Sequence, residues 1–300
     1  MRAVLARPWA GLRQVALSEW FHIRRETASS ILSRTSGFIA EAGFSHSLTP
    51  ARNCTFGCTY CYVPTMRIYG GLKSEDWKRW GQFTTFKSNA AELLRRAIRG
   101  QETIYCSPLV DPYQPAEERE LQMPGVLAAL VSRPPRVFTF QTRGPLIVRD
   151  LDLILRLAAR CDVRVSFSLT TNREDVHRWY EPHCAPFEER LAVIRTLRAA
   201  GVRTFATLAP LLPCDPESLA EAALEATGEN LIGDPFHTRS AKPHGATTRE
   251  QGERVSRAHG FDEWHEPEFH GGVVERIRAV ARRAGRDFGV GPAGFRWLVE

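Results

Sequence analysis

Three cysteines close together in the sequence are the residues best suited to chemistry. Cys54, Cys58 and Cys61 lie within eight residues in a Cys-x3-Cys-x2-Cys pattern. Three thiolates on a compact loop can bind three irons of a cubane cluster, and the fourth iron then keeps an open position for another ligand. Gly57 lets the backbone wrap closely around such a group. The spacing therefore predicts one iron–sulfur cluster with an open iron.

A zinc site completed by a histidine such as His46, or three purely structural cysteines, are the alternatives to a cluster. Zinc sites usually combine paired Cys-x2-Cys units, and the sequence has no second pair. The seven cysteines are an odd and unevenly distributed set, which disfavours a secreted disulfide framework. No other three cysteines are clustered, so we expect no second cluster. The scattered cysteines are Cys106, Cys161, Cys184 and Cys214.

The composition is that of an ordinary globular protein and excludes a disordered or collagen-like chain. Hydrophobic residues make up 43% and charged residues 25% of the 300 residues. The longest apolar run, residues 126–131, is far shorter than the roughly 20 residues that span a bilayer. Pro8, Gly11 and Arg13 interrupt the start of the chain before a signal-peptide core can form. We therefore expect a cytoplasmic protein without a membrane partner.

The chain is mildly basic, with a formal net charge of +6. Only four of its 40 lysine and arginine residues are lysines. Arginine binds phosphate oxygens bidentately, which would suit a nucleic acid partner. The arginines are spread along the sequence rather than clustered, so a bias in coding composition explains most of them. The charge allows nucleic acid binding without indicating it.

Short β-rich runs alternate with amphipathic helical patterns from about residue 45 onward. The predicted strands cover residues 44–49, 103–106, 136–140, 163–169, 202–209 and 230–232. The predicted helices cover residues 88–100, 150–159, 187–200 and 272–284. Such alternation with continuous apolar strands is typical of a parallel sheet covered by helices, and five or six units suit a partial or complete β/α barrel. Chemistry in such barrels collects at the C-terminal ends of the strands.

The sequence divides into three segments on this basis. Residues 1–44 form an expected N-terminal extension, residues 45–235 the barrel, and residues 236–300 a C-terminal segment that completes the barrel mouth. Within the last segment, residues 236–272 are rich in Gly, His and Glu and predict an irregular loop.

The cysteine pattern, with the aromatic Tyr60 just before the third cysteine, resembles the signature of the radical S-adenosylmethionine (SAM) superfamily. The resemblance implies a partial (β/α)6-type barrel with one 4Fe–4S cluster, whose open iron binds the amino and carboxylate groups of SAM. One electron then cleaves SAM to methionine and a 5′-deoxyadenosyl radical, which abstracts hydrogen from the substrate. An electron donor such as flavodoxin or ferredoxin is implied as a partner.

Further motifs are similar to the spore photoproduct lyase branch of that superfamily, also called DNA repair photolyase-like. They occur in the same order between about residues 31 and 235. The matching stretches are residues 111–117, 142–150, 166–171 and 208–213, together with Glu181-Pro182 and Arg190-Leu191. Each stretch follows or ends a predicted strand, or precedes a predicted helix.

The resemblance assigns roles residue by residue. Cys54, Cys58 and Cys61 are the implied cluster ligands, and Tyr60 is implied to lie against the adenine. The implied cofactor-binding residues are Tyr60, Ser107, Arg143, Ser168, Glu181 and Arg190. The implied catalytic residues are Cys106, as a hydrogen-atom donor, with Asp111 and Tyr113. Arg143 is a departure, because a lysine commonly stands at this position in the lyase-like proteins, and arginine keeps the charge but changes the geometry.

Structural alternatives stand beside several of these roles. Asp111 could be a solvated residue in a rigid turn, and Ser168 a satisfied hydroxyl inside the barrel. Glu181 and Arg190 could pair with each other rather than with a ligand. Cys106 could simply pack, because free cysteine is among the most buried residue types.

Three functions follow from these patterns, and the first is favoured. It is a radical SAM enzyme acting on a small biosynthetic substrate, for instance a nucleoside or amino-acid derivative. The second is lyase-like repair of a pyrimidine lesion in DNA, which would need a basic groove and room for a flipped dinucleotide. The third is a zinc- or cluster-binding protein without catalysis.

Overall fold

A mixed α/β architecture is built around one eight-stranded sheet. The structure is a computed structural model and describes residues 20–65, 78–237 and 248–300. The sheet order is β11-β10-β9-β8-β7-β6-β3-β2, in which β2 and β3 are antiparallel and all other neighbours are parallel. Its strands are β2 (Leu32–Arg34), β3 (His46–Leu48), β6 (Thr103–Cys106), β7 (Val137–Thr142), β8 (Asp162–Ser168), β9 (Arg203–Leu208), β10 (Leu231–Gly233) and β11 (Phe288–Val290).

Six of these strands, β3 and β6 to β10, lie on the six predicted strand segments. Their parallel neighbours and intervening helices confirm the predicted partial barrel, to which β2 and β11 add one strand at each edge. β2 lies within residues 1–44 and β11 within residues 236–300, so both flanking segments contribute to the sheet. The proposed segment boundaries themselves stay a prediction, and residues 1–19 lie outside the described residues.

Helices connect the parallel strands and bury one face of the sheet. They are α1 (Gly37–Glu41), α2 (Ala90–Ala97), α3 (Glu117–Glu120), α4 (Gln122–Ser132), α5 (Leu151–Ala158), α6 (Glu174–Tyr180), α7 (Phe187–Ala199), α8 (Pro216–Thr227), α9 (Glu250–Ala258), α10 (Pro267–Arg283) and α11 (Gly291–Phe295). Short 3-10 helices cover Val63–Thr65, Pro145–Asp150, Asp262–His265 and Arg296–Leu298. None of the helices in the described residues is long and apolar enough to cross a membrane.

Strand alternation separates an apolar face from a polar face. Ile104, Phe138 and Val165 belong to the main hydrophobic core, which includes residues of α2, α4, α5, α7, α8 and α10. On the opposite face, Tyr105 donates a hydrogen bond to Gln141 Oε1 at 2.6 Å, and Ser166 donates to the same oxygen at 2.7 Å. The sheet therefore has a helix-covered side and a polar inner side.

A second sheet of three short strands was not predicted. Its order is β1-β5-β4, comprising β1 (His22–Glu26), β4 (Ala51–Arg52) and β5 (Phe83–Lys87). β1 is mostly exposed, and its residues do not form an apolar face. Its sequence therefore lacks the alternation of apolar and polar residues that would predict a strand. This sheet matters for the site because β4 leads directly into the cysteine loop.

The prediction of an irregular loop over residues 236–272 is wrong. α9, the turn at Asp262–His265 and the first residues of α10 occupy its described part, while residues 238–247 lie outside the described residues. α10 begins at Pro267, where the fixed φ of proline suits a first helical turn, rather than at residue 272. Asp150 precedes α5 as expected, but its carboxylate pairs with Arg149 and does not accept from the helix amides.

Candidate functional site

The cysteine loop follows β4 and lies beside β5. Cys58 is buried, and Cys54 and Cys61 are half-buried. Gly57 adopts a φ of 63°, and a Cβ at this position would lie 3.1 Å from the Cα of Gly81. Two backbones thus approach each other without side chains between them, which explains why the turn requires glycine.

Gln114 fixes the backbone of this loop from the opposite side. Its Oε1 accepts from the Thr55 amide at 2.8 Å and from the Thr55 hydroxyl at 3.1 Å. Its Nε2 donates to the Thr84 hydroxyl at 3.1 Å and to the Asn53 carbonyl at 3.4 Å. The side chain is buried, so these bonds replace those it loses to water. Gln114 lies inside the motif at residues 111–117 but had no predicted role.

Three of the predicted cofactor-binding residues contact the buried carboxylate of a fourth, Glu181. Tyr60 donates to Glu181 Oε1 at 2.5 Å, and Thr170 donates to the same oxygen at 2.8 Å. Arg143 forms an ion pair with Glu181 Oε1, and Arg190 forms one with Oε2. The expected pairing of Glu181 with Arg190 is therefore present, and Arg143 and Tyr60 join it.

The two guanidinium groups decide the charge state of Glu181. Burial alone would raise the pKa of this carboxyl, but Arg190, Arg143 and the hydrogen bond from Tyr60 hold the pKa well below its usual range. Burial raises the pKa of the Tyr60 hydroxyl, so the phenol keeps its proton. The centre of the site is consequently a carboxylate with two cations and a neutral phenol.

Cys58 is connected to this network. Arg143 Nη1 donates to the Cys58 Sγ at 3.7 Å, and the Sγ of Cys184 lies 3.8 Å from the Sγ of Cys58. The hydrogen bond from Cys184 lowers the pKa of the Cys58 thiol despite its burial. Burial raises the pKa of Cys54, and raises that of Cys61 to about 12. Cys58 is therefore the loop thiol that ionises most readily.

Cys184 had no predicted role, because it lies 126 positions after Cys58 and the sequence does not indicate that the two thiols are in contact. Its Sγ, a Glu181 carboxylate oxygen and the Cys58 Sγ all lie within 4.8 Å of one another. His46, the histidine considered for a zinc site, is not in this group. Its ring lies on β3, where Nδ1 is 2.9 Å from the Ser45 hydroxyl.

Asp111 organises the loop that follows β6. The half-buried carboxylate accepts from the Tyr113 amide at 2.9 Å, the Thr142 hydroxyl at 2.6 Å and the Arg143 amide at 2.8 Å. Burial raises the pKa of Asp111, and these hydrogen bonds oppose the increase. The solvated-turn alternative for Asp111 is therefore wrong, because the side chain joins the end of β7 to this loop.

The other predicted residues of this loop are buried. Cys106 packs in the main core with Ile104, and Tyr113 lies in the same core. The Ser107 Oγ and the Tyr113 hydroxyl have no hydrogen-bond partner among the residues that the structure describes. A buried hydroxyl without a partner is unusual in a folded protein.

Ser168 lies on the polar inner face of the sheet, where its Oγ accepts from Gln141 Nε2 at 2.9 Å. Its carbonyl accepts from Arg190 Nη1 at 3.4 Å. The Ser168 hydroxyl therefore has a protein partner. The Ser168 carbonyl, rather than the hydroxyl, contacts Arg190 of the Glu181 network.

Glu117, the last residue of the 111–117 motif, is fully buried at the start of α3. Its Oε1 accepts from the Met123 amide at 2.8 Å and from Arg149 Nη2 at 3.0 Å. Burial raises the pKa of this carboxyl to about 7 in spite of these partners. The motif thus ends in an acid that changes its charge near neutral pH.

The C-terminal segment also reaches the cysteine loop, which the sequence did not indicate. The Arg249 amide donates to the Tyr60 carbonyl at 3.2 Å. The Arg249 side chain donates to the carbonyls of Thr59 and Cys58 at 3.2 and 3.3 Å. No spacing rule connects residues about 190 positions apart.

A family model described as the Radical SAM superfamily matches residues 48–225, which include the cysteine loop, the Asp111 loop, Arg143 and the Glu181 network. The chain belongs to the radical SAM superfamily. The matched stretch includes the last residue of β3 and all of β6 to β9, so the family assignment and the observed parallel sheet agree.

Solved structures of radical SAM proteins share this fold. Spore photoproduct lyase complexed with dinucleoside spore photoproduct matches with a TM-score of 0.61 and 14% identity, over 89% of this chain and 81% of the lyase. A point variant of the same lyase matches with a TM-score of 0.60 and 15% identity, over the same shares. At such identity the likeness establishes the fold alone.

Sequence relatives are more similar but differ in length. An uncharacterized protein of Mycobacterium bovis is 33% identical over 210 residues, which are 66% of this chain and 60% of the relative. An uncharacterized protein of Methanocaldococcus jannaschii is 25% identical over 161 residues, or 53% of this chain and 58% of the relative. The radical SAM chain therefore spans about 60% of the length of these relatives.

Replacing Glu181 with Gln should destabilise the protein strongly, because it leaves the guanidinium groups of Arg143 and Arg190 without their buried counter-charge. We expect the free energy of unfolding to fall by about 3–5 kcal/mol in urea denaturation. Glu225→Gln is the matched control, since Glu225 pairs with Arg195 on the exposed surface, and it should change the free energy little. Equal effects of the two variants would contradict the central role of Glu181.

Glu117→Gln should flatten the pH dependence of stability. Between the ordinary value near 4.5 and the folded-state value of about 7, folded Glu117 holds a proton that the unfolded chain has released. This contribution is complete below pH 4.5 and is lost as the pH rises to 7, by roughly 3 kcal/mol. Urea unfolding at several pH values should therefore show the wild type losing stability relative to Glu117→Gln across this range. Parallel curves would show that Glu117 does not titrate there.

Proposed function

We propose that this protein is a radical SAM enzyme in which Cys54, Cys58 and Cys61 hold one 4Fe–4S cluster. The observation that carries the proposal is the meeting of the three-thiol loop with a buried cation, Arg143, through Cys58. The donor set suits the cluster, because three thiols on one loop leave one iron free. The buried Ser107 hydroxyl after β6 lacks a partner among the described residues, which is consistent with a ligand at the C-terminal end of that strand.

When bound, the cluster would supply one electron for reductive cleavage of SAM, and the resulting 5′-deoxyadenosyl radical would abstract hydrogen from the substrate. In this proposal Arg143 binds the carboxylate of SAM. Its side-chain hydrogen bonds to the described residues all use Nη1, which leaves the Nε and Nη2 hydrogens for two oxygens of a ligand. Glu181 holds the guanidinium in this orientation.

Cys106, which ends β6 and packs with Ile104 in the main core, is the proposed hydrogen-atom donor. Burial raises the pKa of its thiol, so the sulfur keeps the S–H bond that such a donor needs. Asp111 and Tyr113 shape the loop that follows, through the bond between the Asp111 carboxylate and the Tyr113 amide. We also propose that Asp111 and Tyr113 take part directly in the reaction.

A small substrate is favoured over DNA by the surface charges. Several exposed arginines are paired with carboxylates, which leaves them less available to phosphate. The pairs are Arg25–Glu120, Arg52–Glu26, Arg195–Glu225, Arg203–Glu229 and Arg276–Glu217. Repair of a pyrimidine lesion is the second candidate, supported by the fold shared with spore photoproduct lyase complexed with dinucleoside spore photoproduct.

Cys58→Ala should abolish both the cluster and SAM cleavage. The measurement is anaerobic reconstitution with iron and sulfide, reduction with dithionite, and chromatography for 5′-deoxyadenosine. Cys214→Ala is the matched control, because Cys214 is equally buried but packs in the main core. It should retain the brown absorption and the product. A wild-type protein that binds the cluster fully yet forms no 5′-deoxyadenosine would overturn the proposed enzyme.

Salt dependence separates the two substrate classes. Binding to a DNA duplex that contains a thymine lesion should lose affinity steeply between 50 and about 200 mM salt if phosphates are neutralised, by roughly a factor of a thousand or more. For a small-substrate enzyme we expect only weak, sequence-independent DNA binding in a gel-shift titration. Tight, lesion-selective binding would instead establish DNA as the substrate.

A further inference from the structure

Arg249 donates hydrogen bonds to the backbone carbonyls of three consecutive residues of the cysteine loop. It is the residue before α9, and its amide donates to the Tyr60 carbonyl. Its Nε donates to the Thr59 carbonyl at 3.2 Å, and its Nη2 donates to the Cys58 carbonyl at 3.3 Å. These carbonyls belong to the stretch between the second and third cysteines, so Arg249 fixes the path of the chain between two thiols.

The first turn of α9 packs directly on the same stretch. A Cβ on Gly252 would lie 3.0 Å from the Cα of Tyr60 and 3.1 Å from its Cβ. The helix backbone at Gly252 therefore approaches Tyr60 closely, and the Thr248 methyl, 2.8 Å from the same Cβ position, fills the adjacent space. Arg249 and Gly252 together hold the C-terminal segment against the cysteine loop.

The charge of Arg249 has no carboxylate partner among the described residues. The residue is only 9% exposed, and its side chain bonds to two carbonyls and to Gln251 Oε1 at 2.7 Å. A buried cation normally requires an anion, because neutral dipoles replace only part of the hydration it loses. The carbonyls that Arg249 binds belong to the loop that carries Cys58 and Cys61, so a negatively charged group held by these cysteines would lie on the same loop.

We infer that Arg249 is a positioning residue for the cluster and supplies its buried counter-charge from the C-terminal segment. This inference rests on the proposed function. Three cysteine thiolates would make a bound cluster anionic, and its reduction would add one more negative charge at the loop whose carbonyls Arg249 binds. A fixed positive charge favours the reduced state and raises the reduction potential. Arg249 lies beyond residues 48–225, so the family match does not assign it this role.

The test uses the full chain, reconstituted anaerobically, with Arg249→Gln, Arg249→Lys and Arg257→Gln. Arg257 is an exposed arginine on the same helix and serves as the control. Two quantities are measured on the purified proteins: the midpoint potential of the cluster by a titration followed with electron paramagnetic resonance, and the rate of bleaching by an iron chelator. Neither depends on turnover of a substrate.

Arg249→Gln should shift the potential to a more negative value and speed bleaching roughly tenfold, the factor expected for one lost hydrogen bond to a charged group. Arg249→Lys keeps the charge without the planar fork, so its potential should stay near that of the wild type while bleaching is faster. Arg257→Gln should change neither quantity. If Arg249→Gln does not fold, the bleaching rate of Arg249→Lys still tests whether Arg249 positions the cysteine loop.

An Arg249→Gln protein with the potential and bleaching rate of Arg257→Gln would overturn the inference and leave the proposed function intact. If the reduction potential of Arg249→Lys falls as far as that of Arg249→Gln, the proposed counter-charge role of Arg249 is wrong, because the lysine variant keeps the positive charge. A wild-type chain that takes up no cluster would overturn the proposed function, and with it this inference.

Discussion

The ion pairs between the Glu181 carboxylate and two arginines are the interaction on which the site depends. Glu181 follows α6, Arg143 follows β7 and Arg190 lies on α7, so one buried charge ties together three parts of the barrel. Two cations around one carboxylate leave a net positive charge in a region largely removed from water. Such an excess is stable only next to an anion, and the Cys58 sulfur lies within hydrogen-bonding distance of Arg143. The same electrostatic imbalance therefore points to the cysteine loop as the place for a negatively charged group.

The core strands and the cysteine pattern could be predicted from the sequence because both depend on local signals. β8 alternates the apolar residues Val163, Val165 and Phe167 with polar ones, and the apolar stripe of α7 repeats at helical spacing, so both patterns can be recognised from the local sequence alone. The cysteine spacing is equally local. Its family resemblance also selected Tyr60, Arg143, Glu181 and Arg190, which the structure brings into one network.

The parts that could not be predicted are those whose meaning depends on distant partners. β1 is exposed on most of its residues and becomes a strand by pairing with β5, about 60 positions later. Cys184 and Arg249 carry no motif, and their importance comes from contacts with Cys58 and its neighbours. Residues 236–272 suggested a loop because Gly and His disfavour long helices. The buried contact of Gly252 with Tyr60 explains why glycine nevertheless occurs inside α9.

The long separation between Arg249 and the loop it holds has a consequence for biogenesis. During synthesis the cysteines leave the ribosome well before Arg249, so at that stage the C-terminal segment does not yet contact the cysteine loop. The contacts of Arg249 with the loop carbonyls form only after the C-terminal segment has been made, so the chain path between Cys58 and Cys61 reaches its final arrangement late in folding.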